Sequence, residues 1–365
     1  MLKDRLKIDE SLPLEDILNG MFDWVRVLDR NDIIIYTNRA MQDALGCNPS
    51  GKKCYSLLNR TEPCENCISR KSVFDGESHE KEEIISDRYY SVMSSPVRNA
   101  SGDIAAVVEV LRDITNVRSM QKKILEQNMK LKDNLEIAKK LQCSLLPKSL
   151  SQSKIEFSFV YRPCETLGGD FVDIFNIDED HTGVYIADVS GHGVSASMLT
   201  VFLRSSINKK TLSPAEALKE LFVSFNNYGF DQDLYITVFY GVINHSKKVM
   251  KYSNAGHNVC PIVFGPDKFI HLDVPGIPIS NWSENPQYAD KSVSLETHDR
   301  IFLCTDGIIE LRNESKEQYS EERLLQILLN DNSMPAGVLN RIAENAVAFS
   351  KTSDYSDISD DITMA

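Results

Sequence analysis

Ile186-Ala187-Asp188-Val189-Ser190-Gly191-His192-Gly193-Val194-Ser195-Ala196-Ser197-Met198-Leu199 is the stretch around which the rest of the chain is organised. The apolar run from Val184 to Val189 reads as a strand and delivers the Asp188 carboxylate to its end. A Gly-rich turn follows, and small residues then open a helix. One such carboxylate proves little, because a strand-end Asp often only caps the next helix. Three further stretches change that reading: Gly168-Gly169-Asp170-Phe171, Cys304-Thr305-Asp306-Gly307 and Asp360-Asp361-Ile362-Thr363. Each sets an Asp where an apolar or β-branched segment meets a turn. Carboxylates this far apart in sequence can meet only through the fold, where they would form an oxygen-ligand site for hard divalent cations.

The chain has 365 residues, long for one domain and comfortable for two. Its 42% hydrophobic content suffices for a core in each. A net charge of −13 argues against a general nucleic-acid binder and suits a protein that holds cations by carboxylates. No stretch approaches the ~18 apolar residues of a membrane span. Met1-Leu2-Lys3-Asp4-Arg5 lacks the apolar core of a signal peptide. The expectation is a cytoplasmic protein with neither nucleic acid nor membrane as partner. Eight Cys are too few for a disulfide scaffold.

Residues 1–11 form a charged arm, and residues 12–115 have the pattern of a compact α/β unit. Leu14, Ile17, Leu18 and Met21 have helical spacing. Trp24 to Leu28 and Ile33 to Tyr36 read as a hairpin closed by Asp29-Arg30-Asn31-Asp32. Asn38 to Leu45 reads as a helix ended by Gly46, and three strands follow over 82–85, 89–93 and 104–112. With Val27-Leu28-Asp29, Ile35-Tyr36-Thr37-Asn38-Arg39-Ala40 and the exit Val110-Leu111-Arg112-Asp113-Ile114-Thr115, this order resembles a PAS domain. That resemblance implies an antiparallel sheet with helices that senses a ligand, a cofactor or redox state, or dimerises. Cys47, Cys54, Cys64 and Cys67 crowd into its middle, with Pro63-Cys64-Glu65-Asn66-Cys67 as a sharp turn. Such spacing fits Zn²⁺, an iron–sulfur cluster or a reversible disulfide. The alternative is packing thiols common to PAS domains of this kind.

Residues 116–147 contain long helix formers, with no Gly or Pro before Pro147. One heptad seam is Val117, Ile124, Leu131, Ala138 and Leu145, all apolar. The other, Ile114, Gln121, Asn128, Leu135 and Gln142, carries three polar residues. The pattern predicts a parallel two-stranded coiled coil, and with the PAS region a homodimer. A single amphipathic helix lying on one domain is the alternative.

Over residues 148–365, strands alternate with helices in a pattern of antiparallel sheets covered by helices, an α+β class. Residues 155–161 are among the expected strands. Leu167-Gly168-Gly169-Asp170-Phe171-Val172-Asp173, Ala187-Asp188-Val189-Ser190-Gly191-His192-Gly193, Asn254-Ala255-Gly256-His257-Asn258, Thr305-Asp306-Gly307 and Asp360-Asp361-Ile362-Thr363 occur in that order. Together they resemble the PPM-type metal-dependent serine/threonine phosphatases, in the bacterial branch that controls sporulation and general stress. Each motif alone is weak; five in order over about 210 residues are specific.

The resemblance implies an αββα sandwich holding two Mn²⁺ or Mg²⁺ ions. Carried over by position, Asp188 bridges them, helped by the Val189 carbonyl. Asp170 and Asp306 are ligands, and Asp360 completes the site, with Asp361 the alternative one residue on. Asp170, Asp188 and Asp306 are then the catalytic carboxylates. Phosphoserine hydrolysis needs a nucleophile at neutral pH and a counterweight to charge on the phosphoryl oxygens, and two cations supply both. The implied substrate is a phosphoserine or phosphothreonine on an anti-sigma-factor antagonist. Asp173 reads equally as a support for a metal-bound water or as a turn residue. His192 invites assignment as a general acid but reads better as a helix-start residue in its Gly-flanked turn, and His257 reads as structural rather than as a ligand. The helix entering the domain, Ala138 to Pro147, resembles the one implied to gate activity in that branch. The final strand is shorter than the family's, which predicts a loosened Asp360. From another class, the competing function is a catalytically silent signalling module.

Overall fold

The computed structural model describes residues 13–58, 60–147, 154–266, 268–351 and 358–365. The expected arm over residues 1–11 and the expected boundary at residue 148 lie outside the described residues. The chain divides into two compact units, residues 1–130 and 131–365.

In the first unit, α1 (Leu14–Asn19), β1 (Trp24–Asp29), β2 (Ile34–Thr37), α2 (Arg39–Leu45) and α3 (Ile68–Asp75) precede β3 (His79–Ile85), β4 (Arg88–Arg98) and β5 (Ile104–Asp113). The sheet runs β2-β1-β5-β4-β3, antiparallel throughout. The hairpin closes because Asp29 Oδ1 accepts from the backbone of Asn31 and Ile33, each at 2.8 Å. Asn38 pins the entry segment. Its carbonyl oxygen caps α2 at Met41, and its amide donates to the Leu18 and Asp23 carbonyls. Gly46, at φ 66°, ends α2 in the left-handed region that Gly adopts without a Cβ clash. Helix α3 was not foreseen. It lies over the sheet, and the Ser72 hydroxyl donates to the Ser94 carbonyl at 3.1 Å.

Helix α4 (Thr115–Leu145) runs out of the first unit into the second. Asp113 starts it by accepting from the Thr115 amide at 2.9 Å. Val117, Ile124 and Leu131 of the apolar seam stay 54–58% exposed in the single chain. Gln142, placed by the heptad pattern in the polar seam, is instead the buried residue of the helix.

The second unit contains β6 (Val160–Arg162), β7 (Phe171–Asn176), β8 (His181–Val189), α5 (Gly193–Ser206), α6 (Pro214–Tyr228), β9 (Ile236–Asn244) and β10 (Val249–Ala255). Then come β11 (Ile262–Gly265), β12 (Lys268–His271), β13 (Lys291–Ser294), β14 (Arg300–Phe302), α7 (Asp306–Ile309), α8 (Glu321–Asn330), α9 (Pro335–Ser350) and β15 (Ile362–Met364). One antiparallel sheet runs β13-β10-β9-β8-β7. A second face is built from β12-β11-β14 and from β15-β6, joined by the mutual backbone bonds of Leu303 and Ala365.

Three apolar layers hold this unit together. Val184, Ile186, Phe239 and Met250 meet Val263, Leu272 and Leu303 between the sheets. Tyr185, Ala187, Val238 and Tyr240 face α5 and α6 on one outer side. Phe302 and Ile262 meet Leu324, Leu339 and Ile342 of α8 and α9 on the other. Each fully buried side chain of this size contributes roughly 1.5–3 kcal/mol. The result is the αββα order. The strand expected over residues 155–161 shrinks to β6, because residues 156–159 have no ladder partner while Phe157 and Phe159 still pack on the core.

Candidate active site

Period-2 alternation along β8 decides where Asp188 emerges. Tyr185, Ala187 and Val189 point to the helices, Val184 and Ile186 to the opposite sheet, and Asp188 continues the second set at the strand end. The turn beyond it needs left-handed backbone at Gly191 (φ 82°) and Gly193 (φ 76°). Asp170 arrives just before the neighbouring strand β7, and Asp306 opens α7 after β14. Gly307 lets Asp306 approach β15, since a Cβ there would stand 2.0 Å from the Asp361 carbonyl oxygen.

The sequence-predicted carboxylates therefore face one another. Asp170 is 1% exposed. Burial, then the charges of Asp188 and Asp361, raise its pKa well above the usual carboxylate range. Asp188 is pushed up to about 7, by burial first and then by Asp306, Asp360 and Asp361. Asp360, the most exposed of the set, is raised by partial desolvation and by Asp306 and Asp361.

The surrounding bonds orient these groups. The Thr305 hydroxyl donates to Asp170 Oδ2 at 2.7 Å, and the Asn258 amide donates to Asp306 Oδ2 at 2.6 Å. Asp361 turns inward: its oxygens accept from the backbone of Cys164 at 2.8 Å and Gly169 at 2.5 Å. Asp360 accepts from the Asp361 amide at 2.8 Å and stays at the open edge. Strand β15 is fully buried; the Thr305 amide donates to the Thr363 carbonyl and the Thr363 amide donates to the Thr305 Oγ1, each at 3.0 Å.

Other expected residues fall elsewhere. Asp173 lies on the helix-facing side of the sheet, where Lys209 Nζ donates to it at 2.5 Å, so it serves neither of its two expected roles. The reason is register: β7 turns residue 173 away from the inter-sheet face. His192 stands at the residue before α5 without a side-chain capping bond, and its Nδ1 pairs with Glu165 at 2.9 Å. His257 is buried and bonded through Nε2 to the Cys304 carbonyl at 3.0 Å, and burial drives its pKa down to about 4. A neutral ring donating to that carbonyl fixes the backbone just before Asp306.

Gln142 had no assigned role at this site. From α4 it donates to the Gly168 carbonyl at 2.7 Å, and its own oxygen accepts from the Gly168 amide and the Tyr161 hydroxyl, each at 3.3 Å. It thereby holds both sides of the loop that carries Asp170. Its place in a resembling lead-in helix was the only signal in the sequence. Asn258 and Thr305 stood in quoted motifs without a role.

In chemistry the donor set fits Mg²⁺ or Mn²⁺: hard carboxylate oxygens, of which those of Asp170, Asp188 and Asp360 are held toward the protonated form. Among the described residues no three His, Cys, Asp or Glu side chains close on one point. The cysteines do not form a metal centre either: Cys47 is exposed, Cys54 buried, and Cys64 and Cys67 half-buried, all as free thiols. The expectation of Zn²⁺ or an iron–sulfur cluster is therefore not supported.

Residues 178–365 match the family described as stage II sporulation protein E (SpoIIE), and residues 18–119 match the PAS fold. The chain belongs to the SpoIIE family. Within reach of this SpoIIE-family chain, phosphoserine phosphatase RsbP of Bacillus subtilis is 28% identical over 189 residues, 49% of this chain and 46% of RsbP. Phosphoserine phosphatase RsbU of the same organism is 28% identical over 192 residues, 51% of this chain and 56% of RsbU. The chain spans about half the length of the curated relatives it matches. The solved SiaA-PP2C domain of Pseudomonas aeruginosa superposes with a TM-score of 0.58 at 17% identity, covering 65% of this chain and 96% of that domain. That likeness shows the PP2C fold.

Proposed function

We propose that this SpoIIE-family chain is a PAS-regulated protein-serine/threonine phosphatase. The observation that carries the reading is the crowding of Asp170, Asp188, Asp306 and Asp360 at the strand ends between two sheets. Asp170, Asp188, Asp306 and Asp360, with the Val189 carbonyl, would hold two Mg²⁺ or Mn²⁺ ions. When bound, the ions supply Lewis acidity for activating water and for offsetting charge on the phosphoryl group. The chain's own residues do the positioning. Thr305 and Asn258 aim Asp170 and Asp306, His257 fixes the backbone before Asp306, and Asp361 holds the Gly169 loop without serving as a ligand. The substrate we propose, by family resemblance, is a phosphoserine or phosphothreonine of an anti-sigma-factor antagonist, in the cytoplasm. Among the described residues no helix is long and apolar enough to cross a membrane.

Hydrolysis of an aryl phosphate and of a phosphoserine protein, measured against Mn²⁺ concentration, tests the proposal. Asp306→Asn should lower metal-dependent turnover by about 10³-fold or more. Turnover without added metal, or unchanged in this variant, would sink the two-metal reading. A folded protein with Mn²⁺ uptake but no turnover on either substrate would favour the silent module. In the same assay Gln142→Ala should lower kcat about tenfold, the worth of one or two buried hydrogen bonds. An unaltered kcat would show that α4 does not set the Asp170 loop.

The exposed seam of Val117, Ile124 and Leu131 supports a homodimer through α4. Sedimentation of Ile124→Lys should show monomer where the parent chain shows dimer. A parent chain that is monomeric at high concentration would remove this part of the proposal.

A further inference from the structure

We propose that Cys64 and Cys67 of the PAS unit form a dithiol that a hydroperoxide oxidises to a disulfide. Cys54, Cys64 and Cys67 line one recess of about 20 Å³ together with Arg26, Lys81 and Glu109. That volume holds one molecule of about the size of water. It is too small for a haem, a flavin or an iron–sulfur cluster, but a peroxide oxygen fits. Cys64 and Cys67 flank the turn at Glu65 and Asn66. The ends of a β-turn lie within about 7 Å of each other at Cα. A disulfide spans about 4.4–6.8 Å.

The three sulfurs are not equivalent. Arg60 Nη1 donates to Cys64 Sγ at 3.2 Å, setting a guanidinium against that sulfur. Thiolate is the attacking form of a cysteine. Cys67 stands at the start of α3 and its side chain makes no capping bond, so no hydrogen bond competes for it there. Cys54 is buried among apolar neighbours, and burial pushes its thiol up to about 12. Cys54 therefore stays a protonated bystander at neutral pH.

The chemistry balances with one peroxide. The Cys64 thiolate attacks one peroxide oxygen; an S–O bond forms, the O–O bond breaks, and hydroxide leaves and is protonated to water. Cys67 then attacks the sulfenic sulfur. An S–S bond forms, the S–O bond breaks, and a second water leaves. Two thiols lose two electrons and two protons, and hydrogen peroxide is reduced to two waters. The product withdraws Cys64 from Arg60, which also bridges to Glu83 on β3 at 2.7 Å. It also tethers the start of α3, whose Ser69 donates to Glu109 of β5. The oxidation state is thus felt where α3 joins the sheet.

The test uses the full chain and hydrogen peroxide as probe, near one equivalent. The expected result is a mass loss of about 2 Da with two fewer titratable thiols, reversed by dithiothreitol. Peptide mapping should place the bond at Cys64–Cys67. Cys64→Ser and Cys67→Ser should each abolish the loss, and Cys54→Ser should retain it. Arg60→Gln should slow the reaction about fivefold, the worth of a charge-assisted hydrogen bond. The proposal is overturned by oxygen gain on Cys64 without a disulfide, by a bond mapped to another cysteine pair, or by the same mass loss in Cys64→Ser. An unchanged rate in Arg60→Gln overturns the assignment of Cys64 as the attacking thiol.

Discussion

The two units bury charge in opposite ways. In the first, Arg26 (8% exposed) meets Glu109 (1% exposed) at 2.6 Å across adjacent strands, and Ser69 donates to the same carboxylate. Desolvation is the largest single influence and works against the Arg26 proton, yet the charge and hydrogen bond of Glu109, with the nearby Cys54 and Cys64, together outweigh it and the pKa rises. In the second unit Asp170 and Asp361, 1% and 4% exposed, lie beside Asp188, Asp306 and Asp360. Hydroxyl and backbone N–H donors are their partners, and Asp170, Asp188 and Asp360 are pushed toward protonation. Burying an ion costs several kcal/mol even after relaxation, so a fold retains like charges together only where something else compensates. The contrast separates a pair that completes a core from the cluster that we propose binds cations.

The contrast can be broken or sharpened by measurement. The largest effect should come from Mn²⁺, which stabilises only the state that binds it. At about 1,000 times its dissociation constant it should add about 4 kcal/mol to the second unit. In calorimetry the transition of that unit should shift upward, and that of the PAS unit should not. Asp188→Asn should shrink the shift while raising metal-free stability, because it removes one of the crowded charges. Equal shifts in both units would mean that the carboxylate cluster is not where the ions bind.

Comparable in size is the effect of the ion pair. Arg26→Met strands Glu109 in the core and should lower the stability of the PAS unit by about 3–5 kcal/mol, read from the urea midpoint. The double variant Arg26→Met/Glu109→Leu should recover most of that loss. No recovery would show that the sheet depends on the charges themselves rather than on their balance.

A third measurement concerns His257, whose pKa falls from 6.5 to about 4 in the folded chain. The unfolded chain takes up this proton first as pH falls. Stability should therefore be unaffected above about pH 6.5 and decline between there and about pH 4, by up to about 3 kcal/mol. His257→Gln should flatten this part of the profile. A slope that survives the substitution would assign the titration to other groups.

Much of the candidate site was legible because it follows local rules. Asp188 could be placed from alternation along a strand, and the Gly-rich turns beside it announce themselves by composition. Other features depend on partners remote in sequence. Asp173 shares a motif with Asp170, yet register turns it to Lys209 on the far face. Asp361 stands next to Asp360 but points to Cys164 and Gly169, nearly two hundred positions away. Gln142 fits a polar heptad position, and only the packed Gly168 loop shows why it is buried. The four-residue helix α7 is too short to carry a periodic signal.

The sequence by itself determined the two-part α+β organisation, the long intervening helix and the acidic strand ends. These depend on hydrophobic period, turn chemistry and residue type, all of which act over a few residues. Tertiary structure alone decided which carboxylates feel one another's charge, which hold a loop, and which cysteines share a recess. Those outcomes depend on strand register and on donors brought from distant segments, and burial makes each unpaired polar group costly enough to select one arrangement.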